Sequence, residues 1–151
     1  MTKLRVGIIG IGVIASSKHI PSLMKVAQAE IAALCDVMPE RCEKANITFG
    51  LNAKVYTDYR DLCSDPNIDV VHICTPNPFH CEMTLAAFEF GKHVHCEKPM
   101  ACTYEDSLKM IAASKKAGKK LTVGLQESAS RGAGIVVLTA FSRRILLKPW
   151  A

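Results

Sequence analysis

Short apolar runs alternate with longer amphipathic segments from residue 4 to residue 124, and this rhythm constrains the fold more than any other feature. Parallel strands need long crossover connections, so the alternation predicts a parallel sheet with helices packed over it. Leu4–Ile9 reads as the first strand and 13–27 as a helix. A strand at 30–35 follows. Pro39 then fits the first turn of a helix over Pro39–Phe49, which Gly50 stops. Lys54–Tyr56 is a short strand and Tyr59–Ser64 a short helix. The run at 69–74, Asp-Val-Val-His-Ile-Cys, is apolar enough for a strand covered on both faces. A helix at 79–90, a strand at 92–96, a helix capped by Thr103 and closed by Gly118, and a strand at Leu121–Gly124 complete the pattern. Asp106 stands at capping-box distance from Thr103. There is no internal repeat. The expected class is α/β, a doubly wound parallel sheet.

Four motifs fall at the carboxyl ends of these strands, where open α/β sheets bind ligands. The first is Gly10-Ile11-Gly12-Val13-Ile14-Ala15, between the first strand and its helix. Gly10 permits a tight turn and Gly12 lets a pyrophosphate come close to the backbone. Ala15 is small where a third glycine usually stands. The N–H groups opening the helix, around Val13 and Ile14, suit phosphate. The second is Asp36, at the end of the second strand, placed to hold the adenosine ribose hydroxyls. Its carboxylate would repel a 2′-phosphate, and Val37 and Met38 carry no charge, so NAD is expected in preference to NADP. Arg41 is the nearest basic residue and is counted with the cofactor side. Together these two motifs read as a Rossmann fold.

The third motif is Thr75-Pro76-Asn77-Pro78-Phe79-His80. Its prolines make a rigid wall, and Asn77 and His80 carry groups able to bond ribose or amide. An ordinary turn is an equal reading of this stretch. The fourth is Glu97-Lys98-Pro99, where a lysine beside a nicotinamide would protonate or polarise a reacting oxygen. His93 and His95 share one side of a strand, but no further ligands follow at metal spacing, so no metal site is expected.

In this order the four motifs resemble the glucose–fructose oxidoreductase/inositol dehydrogenase family, over about residues 3–124. The resemblance implies that Gly10, Gly12 and Ala15 line the pyrophosphate and that Asp36 holds the ribose. It places Thr75, Pro76, Asn77 and His80 along the nicotinamide side. Glu97 and Lys98 then stand by the hydride-transfer site, with Lys98 catalytic. It also implies a sugar, polyol or related hydroxy compound as substrate of the complete protein. Relatives of this kind continue into a second α/β domain that supplies most of the substrate pocket. The expectation is therefore a dinucleotide-binding domain over 1–124, an atypical tail over 125–151, and no substrate domain. The alternative is a module that binds NAD(H) without turnover, or an inactive fragment.

Composition narrows the partners. The formal net charge is +5, of which residues 125–151 carry +3, so the body is nearly neutral and presents no nucleic-acid surface. Lys115, Lys116, Lys119 and Lys120 surround a helix end, where cations complement the helix dipole. No apolar run is long enough to cross a bilayer and the start has no signal-peptide layout, so a cytosolic protein is expected. Seven cysteines, an odd number set in apolar runs, read as buried free thiols. After Gly124 only Gln126 fits the family pattern. The apolar stretches at 135–141 and 145–147 read as a buried segment, a contact for self-association, or sequence not native to the domain.

Overall fold

The computed structural model describes residues 3–124, and the expectations for 125–151 lie outside the described residues. Six parallel strands form one sheet: β1 (Leu4–Ile9), β2 (Ala29–Cys35), β3 (Lys54–Tyr56), β4 (Val70–Ile73), β5 (His93–Glu97) and β6 (Leu121–Gly124). Their order is β3-β2-β1-β4-β5-β6, so β1 pairs with both β2 and β4 and the chain direction of winding reverses there. That is the order of the doubly wound dinucleotide-binding sheet, and its crevice opens between β1 and β4.

Both faces of the sheet are covered, which is why the central strands read as mainly apolar runs rather than alternating ones. On one face Ile8, Leu34 and Val70 pack with Ile20 and Leu23 of α1 (Ile20–Met24) and Cys42 and Ala45 of α2 (Pro39–Phe49). On the other, Ile9, Val71, Ile73 and Val94 pack with Leu62 of α3 (Tyr59–Ser64), Ala87 and Phe88 of α4 (His80–Glu89) and Met110 of α5 (Tyr104–Ala117). Successive strand residues face opposite layers, so Val70 and Val71 belong to different cores. A fully buried side chain such as Leu62 contributes roughly 1.5–3 kcal/mol by leaving water.

The expected boundaries shift by one or two residues at most elements. Thr103 caps α5 by accepting from Asp106 N at 3.1 Å. The helix expected at 13–27 differs more. It is helical from Val13, passes through a π-helical turn at Ala15–His19, and ends at Met24. Pro21 accounts for the π turn. It has no N–H and its ring crowds the carbonyl four residues back, so a regular α ladder cannot run through it. The turn widens instead, with Ile20 N donating to Ala15 O, and swings His19 inward. At the amino end of the sheet, buried Lys92 donates to the carbonyls of Asp65 (2.7 Å) and Ile68 (2.8 Å). All seven cysteines are free thiols, five of them buried.

Candidate functional site

The glycine turn sits in the crevice at the switch point. Gly10 has φ 88°, and a Cβ there would lie 2.9 Å from backbone atoms of Cys74 and Thr75 at the end of β4. Conformation and space both require glycine. Gly12 differs: a Cβ there would meet nothing within 4 Å, so no neighbour in the chain explains that glycine. Ala15 is fully buried where helix and strand approach closely.

Asp36 is buried and holds this turn in place. Its Oδ2 accepts from Ile11 N at 2.8 Å and its Oδ1 from Met38 N at 3.0 Å. Arg41, half-exposed on α2, brings Nη1 to 3.5 Å from Oδ1. Val13, Val37 and Met38 stand exposed around this corner, each apolar.

The turn after β4 places Pro76 and Asn77 at the surface and Thr75 half-buried behind them. His80 is not exposed with them. It is fully buried, its Nε2 lies 2.7 Å from Thr75 O and its Nδ1 2.8 Å from Pro99 O. Both ring nitrogens thus face backbone carbonyls, whereas the sequence expectation had His80 facing a ligand. Its side chain joins the β4 turn to the β5 turn.

At the end of β5, Glu97 is buried and Lys98 is exposed. Glu97 Oε2 accepts from Lys98 N at 3.1 Å, and Oε1 lies 2.6 Å from His19 Nε2. The Lys98–Pro99 peptide is cis. The ammonium of Lys98 thus projects from a turn fixed on one side by Glu97 and on the other by His80.

Beneath that turn the structure holds a group that the sequence pattern does not reveal. His72 on β4 and His95 on β5 are register partners, and His19 lies over them. The ring centroids are 4.7 to 5.6 Å apart. Burial, with neighbouring imidazoles adding to it, holds His72 well below the usual histidine value and His95 at about 4. Both are neutral at pH 7. Residues 19, 72 and 95 are too far apart in sequence for a spacing argument. The one available signal was polar residues at 72 and 95 inside otherwise apolar strands.

Fold and site together define a Rossmann-type nicotinamide-dinucleotide-binding domain. Residues 4–125 match the family model described as "Oxidoreductase family, NAD-binding Rossmann fold", and the chain belongs to that Gfo/Idh/MocA family. An inositol 2-dehydrogenase/D-chiro-inositol 3-dehydrogenase of Lactiplantibacillus plantarum is 41% identical over 118 residues, covering 78% of this chain and 33% of the relative. The D-glucoside 3-dehydrogenase of Escherichia coli is 39% identical over 118 residues, with the same two shares. Among solved structures, the WlbA dehydrogenase of Bordetella pertussis, in complex with NADH and UDP-GlcNAcA, superposes with a TM-score of 0.76 at 31% identity. It is covered to 35%, and this chain to 82%. The chain therefore spans about a third of the length of these relatives. Another neighbour, the KijD10 3-ketoreductase of Actinomadura kijaniata, was solved with NADP, so relatives with each cofactor share the fold. No helix among the described residues is long and apolar enough to cross a membrane.

Proposed function

We propose that this chain binds NAD(H), in preference to NADP(H), as the cofactor half of an enzyme that oxidises a CH–OH group of a sugar or polyol. Asp36 carries the reading. A carboxylate has about four lone-pair sites, and Ile11 N and Met38 N take two. The remainder suit two ribose hydroxyls, while a 2′-phosphate would meet a buried negative charge. Arg41 works against this discrimination, but it is half-exposed and already paired with Asp36.

The residues present fit the dinucleotide. Open space at Gly12 admits a pyrophosphate against the first N–H groups of the helix, and Ala15 keeps that helix close to β1. Val13, Val37 and Met38 offer apolar contacts to an adenine ring. Thr75, Pro76 and Asn77 form the wall of the nicotinamide side, and His80 fixes that wall from behind. When bound, the nicotinamide supplies the hydride acceptor. Lys98 supplies the mobile proton carrier, set to take or return the proton of the carbinol oxygen. Glu97 positions it through the backbone. Inositol- and glucoside-oxidising relatives support a polyhydroxylated substrate.

Calorimetric titration with NADH and NADPH tests the proposal, beside Asp36→Ala. The expected result is NADH binding at least about tenfold tighter than NADPH, lost in the variant while the fold is kept. Equal binding of the two by the native chain would refute the preference. Turnover of myo-inositol by the chain would establish an enzyme, whereas NADH binding without turnover of any polyol would favour a binding module.

A further inference from the structure

We propose that His19, His72 and His95, with Glu97 behind them, form a buried binding site for one divalent transition-metal ion of the zinc class. The three side chains come from three rigid elements: the π-helical turn, β4 and β5. They are 9%, 2% and 3% exposed, and one ligand atom from each lies within 4.8 Å of the others. Zinc–nitrogen bonds of about 2.1 Å set tetrahedral ligand nitrogens roughly 3.4 Å apart. Small rotations of the rings close that gap.

Three observations favour a metal over a stack of hydrogen-bonded rings. His72 Nδ1 is buried and has no hydrogen-bond partner among the described residues, an arrangement that costs stability unless something binds it. His95 Nδ1 lies 2.9 Å from Thr122 Oγ1, an outer-shell bond of the kind that orients a ligating imidazole. Glu97 lies 2.6 Å from His19 and sets a carboxylate against the ligand set, which balances the charge of a cation. Imidazole nitrogens select zinc-class ions and not magnesium or calcium, which prefer oxygen. The ion would tie the glycine-turn helix to β4 and β5 directly beneath Lys98, independently of any dinucleotide.

The test is titration of the chelator-treated full chain with Zn²⁺ and Co²⁺, without nucleotide. One ion per chain, the strong visible bands of tetrahedral Co²⁺, and a raised thermal midpoint are expected. His72→Leu and His95→Leu should lose all three, and His93→Leu, outside the cluster, should keep them. If the leucine variants fail to fold, imidazole ¹⁵N spectra of the native chain decide. Zn²⁺ must shift His19, His72 and His95 and leave His80 and His93 unmoved. Substoichiometric uptake, binding that survives in a folded His72→Leu, or shifts confined to His93 would overturn the site.

Discussion

The two sides of the crevice are held by opposite chemistry. On the β1–β2 side a carboxylate collects N–H groups: Asp36 accepts from Ile11 and Met38. On the β4–β5 side an imidazole collects carbonyls: His80 spans Thr75 O and Pro99 O. Each device ties together two loops that a ligand must touch. The first leaves charge and lone pairs at the site, which is what the proposed recognition of the ribose draws on. The second is spent wholly on backbone and acts only through the loops it holds. A polar residue near a site is thus read by where its hydrogen bonds already go.

The largest effect is expected where the two sides meet. Gly10→Val forces a β-branched residue to φ 88° and drives Cβ into the Cys74–Thr75 backbone. The strain costs at least about 2 kcal/mol, and both loops must shift. NADH binding should vanish by calorimetry, with a lowered thermal midpoint. Native-like affinity would mean that the sides do not depend on each other's position.

Next, Asp36→Asn separates charge from shape. The amide keeps one acceptor for Ile11 N but loses the charge. Charge-assisted hydrogen bonds contribute about 1.5–3 kcal/mol, so NADH affinity should fall by roughly ten- to a hundredfold. NADPH affinity should fall less, and the ratio of the two is the measurement. An unchanged ratio would show that the carboxylate holds the loops and does not select the cofactor.

His80→Leu is the matching change on the other side. It removes the ring that ties two part-buried carbonyls, a net loss of about 0.5–1.5 kcal/mol per hydrogen bond, together with the packing of a fully buried side chain, so loss of stability should exceed loss of NADH affinity. Chemical denaturation and calorimetry on one preparation give both. A variant that stays stable yet loses NADH would return His80 to the ligand.

This asymmetry also governs what the sequence discloses. The alternation predicts the sheet because covered strands are mainly apolar, and the glycine turn and the carboxylate ending β2 are legible as a motif because each directly follows a strand at a set spacing. His80 was visible as a residue but not as a tie, since its partner Pro99 follows on another turn. The imidazole cluster was not legible. It depends on β4–β5 register and on Pro21 widening the helix that carries His19. The expected helix over 13–27 is present over 13–24, its α ladder widened into a π turn just before that same proline.

The smallest effect asks whether the two sides open separately. Cys35 precedes Asp36 and Cys96 precedes Glu97, and burial raises both thiols to about 12. Thiolate is the reactive form, so at pH 8 neither reacts until its surroundings open. Exposed Cys102 should be alkylated first by iodoacetamide and serves as the internal reference. In mild urea, Asp36→Ala should release Cys35 ahead of Cys96, and His80→Leu should reverse that order, as read by mass spectrometry of the peptides. NADH should slow Cys35 in the native chain. If both cysteines react together in either variant, the carboxylate and the imidazole close one cooperative unit. The contrast would then be one of hydrogen-bond chemistry alone, with no separate stability on either side.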